Sequence, residues 1–166
     1  SGASVLGIDA SSNNIKVSKL HAKKNNLDIH YRHSLTSDII KENKKFDIVL
    51  NTEVIEHVIE QEELIKQCTM CLKDNGLLII ATINKTFISY IKAIIGAEYI
   101  LKLLPKGTHS WKYFIKPEKI TAILNKKNLK VFNKKGMDYN IFTSQWSLTN
   151  NLNVNYIITA IKGIKN

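Results

Sequence analysis

The chain has 166 residues, enough for one domain with a real hydrophobic core. Hydrophobic residues make up 44% and charged residues 23%, a balance that excludes a disordered or fibrous chain, and two cysteines exclude a disulfide scaffold. The net charge is +10, yet of the 24 basic residues only Arg32 is an arginine. Proteins that grip nucleic acid favour Arg, whose planar fork matches phosphates and base edges. The lysine excess therefore argues against a nucleic-acid partner and leaves attraction to an anionic lipid surface open. No apolar stretch of spanning length is free of charge, so an integral membrane protein is not expected.

In chain order, Ser4-Val5-Leu6-Gly7-Ile8 is a short apolar run ending at Asp9. The polar stretch from Ser12 makes a poor helix on paper, because Ile15, Val17 and Leu20 do not share one face. Leu27 to Tyr31 alternates like a strand, and Phe46 to Leu50 is a β-branched run ending at Asn51. Glu60 to Leu72 reads as a helix, with Leu64, Cys68 and Leu72 four apart and acids in the first turn. A turn, Asp74-Asn75-Gly76, introduces the buried-strand run Leu77 to Thr82. Pro117 opens a further helix whose stripe is Ile120, Ile123 and Leu124. Leu129 to Phe132 and Asn153 to Ile161 read as antiparallel strands joined by the polar, aromatic stretch Tyr139 to Asn151. Strand and helix alternate, so the expected class is α/β with a mostly parallel sheet and an antiparallel C-terminal strand.

Three places carry candidate chemistry. Asp9 closes a strand, where doubly wound folds hold ribose hydroxyls; the alternative is an Asp capping the next helix. Glu53, Glu56 and His57 follow the Phe46 strand with helical spacing, which places two carboxylates and an imidazole on one face. That set suits a divalent metal or acid/base work, against the alternative of a solvated acidic turn. Cys68-Thr69-Met70-Cys71 has the form of a redox pair but falls late in its helix, so it reads as core. Between Phe87 and Leu104, 11 of 18 residues are large and apolar, interrupted by Lys92, Glu98 and Lys102. This segment reads as a core helix, a lid over a greasy substrate, or a helix lying in a membrane interface.

Several blocks occur together and in order: Gly7-Ile8-Asp9-Ala10-Ser11, Asn51 to Val58, Ala81 to Thr86, Gly96-Ala97-Glu98-Tyr99-Ile100-Leu101, Leu104 to His109, and Asn153-Val154-Asn155-Tyr156. This series closely resembles the ubiquinone-biosynthesis O-methyltransferases, class I enzymes that use S-adenosylmethionine, from about Val5 to Ile161. The resemblance implies a Rossmann-like sheet and methylation of a phenolic hydroxyl on polyprenylated catechol-type intermediates. It implies Asp9 on the cofactor ribose with Ala10 beside it, Asp38 near the adenine, and Thr52 with its backbone against the cofactor. Ser37 departs from the family's Glu-Asp pair. Glu53, Glu56 and His57 match a divalent-cation (Mg) site of some members, and His57 or His109 would be the base if no metal takes part.

The resemblance also sets expectations about extent and surroundings. One methyltransferase domain over 1–166 is expected, with a lid or membrane-interface insertion at about 86–115. The family's first strand and glycine-rich loop fall ahead of the Asp9 strand and outside this sequence. Two inner strand edges are then expected to lack a partner, and cofactor binding by these 166 residues alone is expected to be poor. The expected surroundings are the cytoplasm, peripherally at the inner membrane face, with an anionic membrane surface and other ubiquinone-biosynthesis enzymes as partners. Two other functions fit the residues: a methyltransferase acting on another small phenol, and a non-enzymatic remnant that binds lipid or a partner.

Overall fold

The structure, a computed structural model, describes residues 2–91, 94, 110–140 and 143–164. They form two compact units, Ser1–Lys44 and Lys45–Asn166.

The first unit runs β1 (Leu6–Asp9), α1 (Ser12–Lys24), β2 (His30–His33) and α2 (Thr36–Lys41). β1 and β2 pair in parallel, with Asp9 opposite His33. α1 is a full helix, contrary to the expectation from its spacing. Its buried face is Ile15 and Ala22, seven residues apart, while Val17 and Leu20 lie in solvent and so misled the periodicity. The helix is started by Ser11, whose hydroxyl accepts from the Asn14 amide at 3.3 Å. The second strand begins three residues later than its alternation implied.

The second unit contains β3 (Phe46–Thr52), a 3-10 turn Ile55–His57, α3 (Gln61–Met70), β4 (Leu72–Ile83) and α4 (Phe87–Ser89). A second 3-10 turn (Trp111–Tyr113), α5 (Pro117–Lys126), β5 (Leu129–Asn140), β6 (Gln145–Thr149) and β7 (Asn155–Lys162) follow. Its five strands lie in the order β3-β4-β7-β5-β6. β3 and β4 are parallel; β7 runs antiparallel to both its neighbours, β4 and β5. The sheet is therefore mixed, with the antiparallel strand inserted between two that share a direction. β6, hidden in the polar connection, pairs antiparallel with the distal half of β5. Among the described residues, β1 pairs only with β2 and β3 only with β4, so each has one edge without a strand.

The core of this unit is one layer of apolar side chains between sheet and helices. Leu78 and Ile80 of β4 sit opposite Ala160 and Ile158 of β7, and all four are buried with Ile65 of α3 and Ile120, Ile123 and Leu124 of α5. Cys68 belongs to the same cluster. Burial pushes its thiol up to about 12 and raises Cys71 as well, so neither is a ready thiolate. Tyr156 is fully buried and donates its hydroxyl hydrogen to the Ile115 carbonyl at 2.8 Å. Lys162 of β7 donates its ammonium to the Leu72 and Thr69 carbonyls, at 2.8 and 3.4 Å, and so closes the free carbonyl end of α3.

Gly136 marks the tightest approach in the sheet. It lies between Thr149 of β6 and Tyr156 of β7, and a Cβ there would run into the backbone carbonyl of Asn151. Backbone cannot swing aside as a side chain does, so Gly136→Ala should cost about 2 kcal/mol or more. Urea denaturation checks this as a fall in midpoint at unchanged slope.

Candidate functional site

Asp9 ends β1, and its carboxylate is already at work locally. One oxygen accepts the Ser11 amide at 2.6 Å and the other accepts Asn14 Nδ2 at 3.1 Å. The capping role weighed from the sequence is thus present. It does not exhaust the group, because an ionised carboxylate offers about four lone-pair sites and only two are taken. His33, opposite Asp9 on β2, places Nε2 2.9 Å from the Ala10 carbonyl. Ala10, His33, Ser34, Leu35 and Asp38 line a cavity of about 310 Å3.

Asp38 is tied into the first turn of α2. Its Oδ2 accepts the Leu35 amide at 3.0 Å and Lys41 lies 3.4 Å from Oδ1. The backbone hydrogen bond, with help from Lys41 and Ser34, holds this carboxyl below its ordinary value. Asp38 is therefore an anion at neutral pH, available to an N–H or O–H donor. Of the residues implied for the cofactor, Asp9, Ala10 and Asp38 thus lie within one small unit, two of them on one cavity. The cavity's chemistry, a carboxylate, a hydroxyl, an imidazole and one Leu, fits a nucleoside with polar edges and an apolar face.

The other candidates lie in the second unit, at the carboxyl ends of β3 and β4. Thr52 is the last residue of β3 and sits opposite Ala81. Glu53 follows with φ 54°, a left-handed backbone uncommon outside glycine and asparagine, while its amide donates to the Ala81 carbonyl at 2.9 Å. The left-handed residue turns the chain off the strand, so Glu53 stands before the 3-10 turn that carries Glu56 and His57. The single α-helical face expected from the spacing is not formed. Ile55, fully buried, anchors the turn from below, and Gln61 Nε2 donates to its carbonyl at 3.1 Å.

Glu56 is the unusual member. It is 1% exposed, and its Oε2 accepts the Thr82 hydroxyl at 2.7 Å, whereas Oε1 has no hydrogen-bond partner in the core. Glu53 lies against it. Glu53 is exposed as a residue, but its carboxyl loses water against Glu56; that desolvation, then the charge and the side-chain hydrogen bond of Glu56, raise it to about 8. A close acid pair suits a hard divalent cation, which needs only one or two carboxylates and takes its other ligands from water or substrate. His57 does not complete a cluster of three donors; none exists among the described residues. His109, and all but a few residues of the 86–115 segment, lie outside the described residues.

Sequence reasoning passed over Thr82, Asn51 and Asn84. Each is a buried polar residue at or beside a strand's carboxyl end, and the side-chain oxygens Asn51 Oδ1 and Asn84 Oδ1 lack a partner. A signal was present: Thr82 shares strand parity with Leu78 and Ile80, so a hydroxyl was bound to point into the helix-covered core.

A family model described as a methyltransferase domain matches residues 1–134. The ubiquinone biosynthesis O-methyltransferase of Pelagibacter ubique is 50% identical over 161 residues, 97% of this chain and 67% of that protein. The chain belongs to the ubiquinone-biosynthesis O-methyltransferase family. The enzyme of the same name from Dinoroseobacter shibae is 42% identical, over 97% of this chain and 65% of its own length, so the chain spans about two thirds of these curated relatives. Solved structures agree on the fold. Magnesium protoporphyrin IX methyltransferase from Synechocystis PCC 6803, crystallised with bound SAH, matches 98% of this chain and 65% of its own at 20% identity, with a TM-score of 0.69. The fold of this family member is accordingly the Rossmann-like class I methyltransferase fold. No helix among its described residues is long and apolar enough to cross a membrane.

Proposed function

We propose that the protein takes part in ubiquinone biosynthesis by transferring a methyl group from S-adenosylmethionine to a phenolic oxygen of a polyprenylated catechol-type intermediate. The observation that carries this reading is the 50% identity to the Pelagibacter ubique enzyme along 161 residues, which takes in both the Asp9 strand and the Glu53–Glu56 pair. When bound, the donor supplies an electrophilic methyl on a sulfonium, so the protein's task is alignment and a deprotonated nucleophile.

The roles divide by residue. Asp9 accepts from the ribose hydroxyls with its two remaining lone-pair sites. Ala10 and Asp38 bound the adenine region, and the Thr52 backbone flanks the methionine end. Glu53 and Glu56 would hold a divalent cation such as Mg, whose charge favours ionisation of a bound hydroxyl. His57 or His109 would remove the phenolic proton. The segment at about 86–115 is proposed as a lid or membrane-interface element for the prenyl tail, within a single functional methyltransferase domain. The lysine-rich composition supports contact with an anionic inner-membrane face from the cytoplasmic side.

Incubating the protein with labelled S-adenosylmethionine and a short-chain prenylated catechol tests the reading. Label should move to the catechol, and soluble catechols without a prenyl chain should be poorer acceptors. Equal transfer to both would favour another small phenol as substrate. No transfer at all, at any concentration of either substrate, would refute catalysis by this chain.

A further inference from the structure

Glu56 is held in an arrangement that its burial alone does not explain. The Thr82 hydroxyl donates to Oε2 of Glu56 at 2.7 Å. Both residues are essentially inaccessible, at 0% and 1%. Tyr156, the residue paired with Thr82 on β7, has its hydroxyl committed to the Ile115 carbonyl and gives Glu56 nothing. The backbone of the turn is fixed separately. Ile55 is fully buried, and Gln61 Nε2 bridges the Ile55 carbonyl and the Tyr113 carbonyl. Thr82 thus fixes one oxygen of the carboxylate from within the core, and the Glu53 carboxyl hydrogen-bonds to Glu56 as well.

We infer that Thr82 is a positioning residue for the acid pair: by occupying Oε2, it leaves Oε1 of Glu56 to meet Glu53. This rests on the proposed reading of the pair as a cation site. A Thr–Glu contact placed for stability alone is a poor use of a core position, because an apolar pair of similar volume costs less to bury. A buried carboxylate held through one oxygen beside a second carboxyl is a place where a cation can replace the proton that the two acids otherwise share. Partners of metal ligands that act this way typically control affinity by 10–100-fold.

Manganese binding, followed by the loss of the free-ion electron paramagnetic resonance signal at about pH 8, tests the inference with Mn2+ itself as the probe. The unaltered protein should bind one ion that Mg2+ displaces. Thr82→Ser, which keeps the hydroxyl, should bind within about threefold of it. Thr82→Val should bind at least about 10-fold more weakly, and should cause no further loss when Glu56 is already Gln. Should Thr82→Val fail to fold by circular dichroism, Thr82→Cys, a weaker and longer donor, should fall below Ser. Affinity in Thr82→Val, or in its Cys substitute, equal to that of the unaltered protein would overturn the role of Thr82 and leave the cation site standing. An absence of saturable binding in the unaltered protein, or binding indifferent to Glu56→Gln, would remove the cation site and the role of Thr82 with it.

Discussion

Asp9→Ala should weaken binding of S-adenosylhomocysteine by a factor of about 30 to 1,000. The variant loses two hydroxyl-to-carboxylate hydrogen bonds at about 1.5–3 kcal/mol each, partly offset because water replaces the lost carboxylate. Amide chemical shifts of the 15N-labelled protein measure it, and they report millimolar affinities as readily as tight ones. The shifted resonances should include Ala10, His33, Leu35 and Asp38, the lining of the 310 Å3 cavity. Asp9→Asn, which keeps one acceptor oxygen, should fall between. The substitution also removes the local bonds to Ser11 and Asn14. Ser11 still caps α1 in the variant, so the fold should persist, and a thermal melt separates the two effects. Unchanged affinity in Asp9→Ala would show that the ribose is held elsewhere.

The second large effect concerns protons. Glu53 should titrate near pH 8, because desolvation of its carboxyl against Glu56, and then the Glu56 charge and hydrogen bond, disfavour its ionised form. Carbon-13 carboxyl shifts give the titration directly. Glu56→Gln removes the neighbouring charge but not the desolvation, so the midpoint should drop and stay above the ordinary glutamate value. The sign for stability follows by linkage. Between about 4.5 and about 8 the folded protein keeps a proton that the unfolded chain has released, so stability falls as pH rises through that window and levels off above it. The two acids act as a pair, and the midpoint belongs to the pair. Added Mg2+ should move the midpoint to lower pH, since a cation favours the deprotonated carboxylates. A midpoint indifferent to Mg2+ would count against a cation at this site.

Much of the fold was legible because apolar runs and stripes stand out in the sequence. β1, the proximal part of β3 and the Leu77–Ile83 part of β4 are continuous apolar runs, and α5 shows its full stripe, Ile120, Ile123 and Leu124, all buried. Elements with little buried surface were hard to read. α1 buries Ile15 and Ala22 and exposes Val17 and Leu20, so its apolar residues advertise the wrong face. β6 has four of its five residues exposed and is a strand because β5 supplies its ladder, not because its composition demands one. Leu72 read as the end of a helix and Asp74-Asn75-Gly76 as a turn, but both belong to β4; Asn75, at φ 60°, bends the strand where its register with β3 shifts.

The candidate site divides along the same line. Asp9 could be put at a strand's carboxyl end from its apolar run, whereas Asp38 was named by resemblance alone and stands in the first turn of α2. Glu53, Glu56 and His57 could be named but not arranged. Helical spacing presumes helical backbone, and Glu53 spends a left-handed residue leaving β3. Thr82 escaped notice because its partner is 26 residues away in sequence, and no local pattern announces a long-range hydrogen bond.

The insertion of β7 between β4 and β5 bears on how the protein is made. β4 and β5 touch the same strand on opposite flanks, and that strand, Asn155–Lys162, is the last of those described. During translation, the two flanking strands leave the ribosome with a gap between them that local contacts cannot fill. The second unit can complete its sheet only after Lys162 has cleared the exit tunnel, so the sheet closes late in that unit's synthesis. Until then the nascent chain exposes the apolar walls of that gap, and chaperones that bind extended hydrophobic segments have their longest opportunity there.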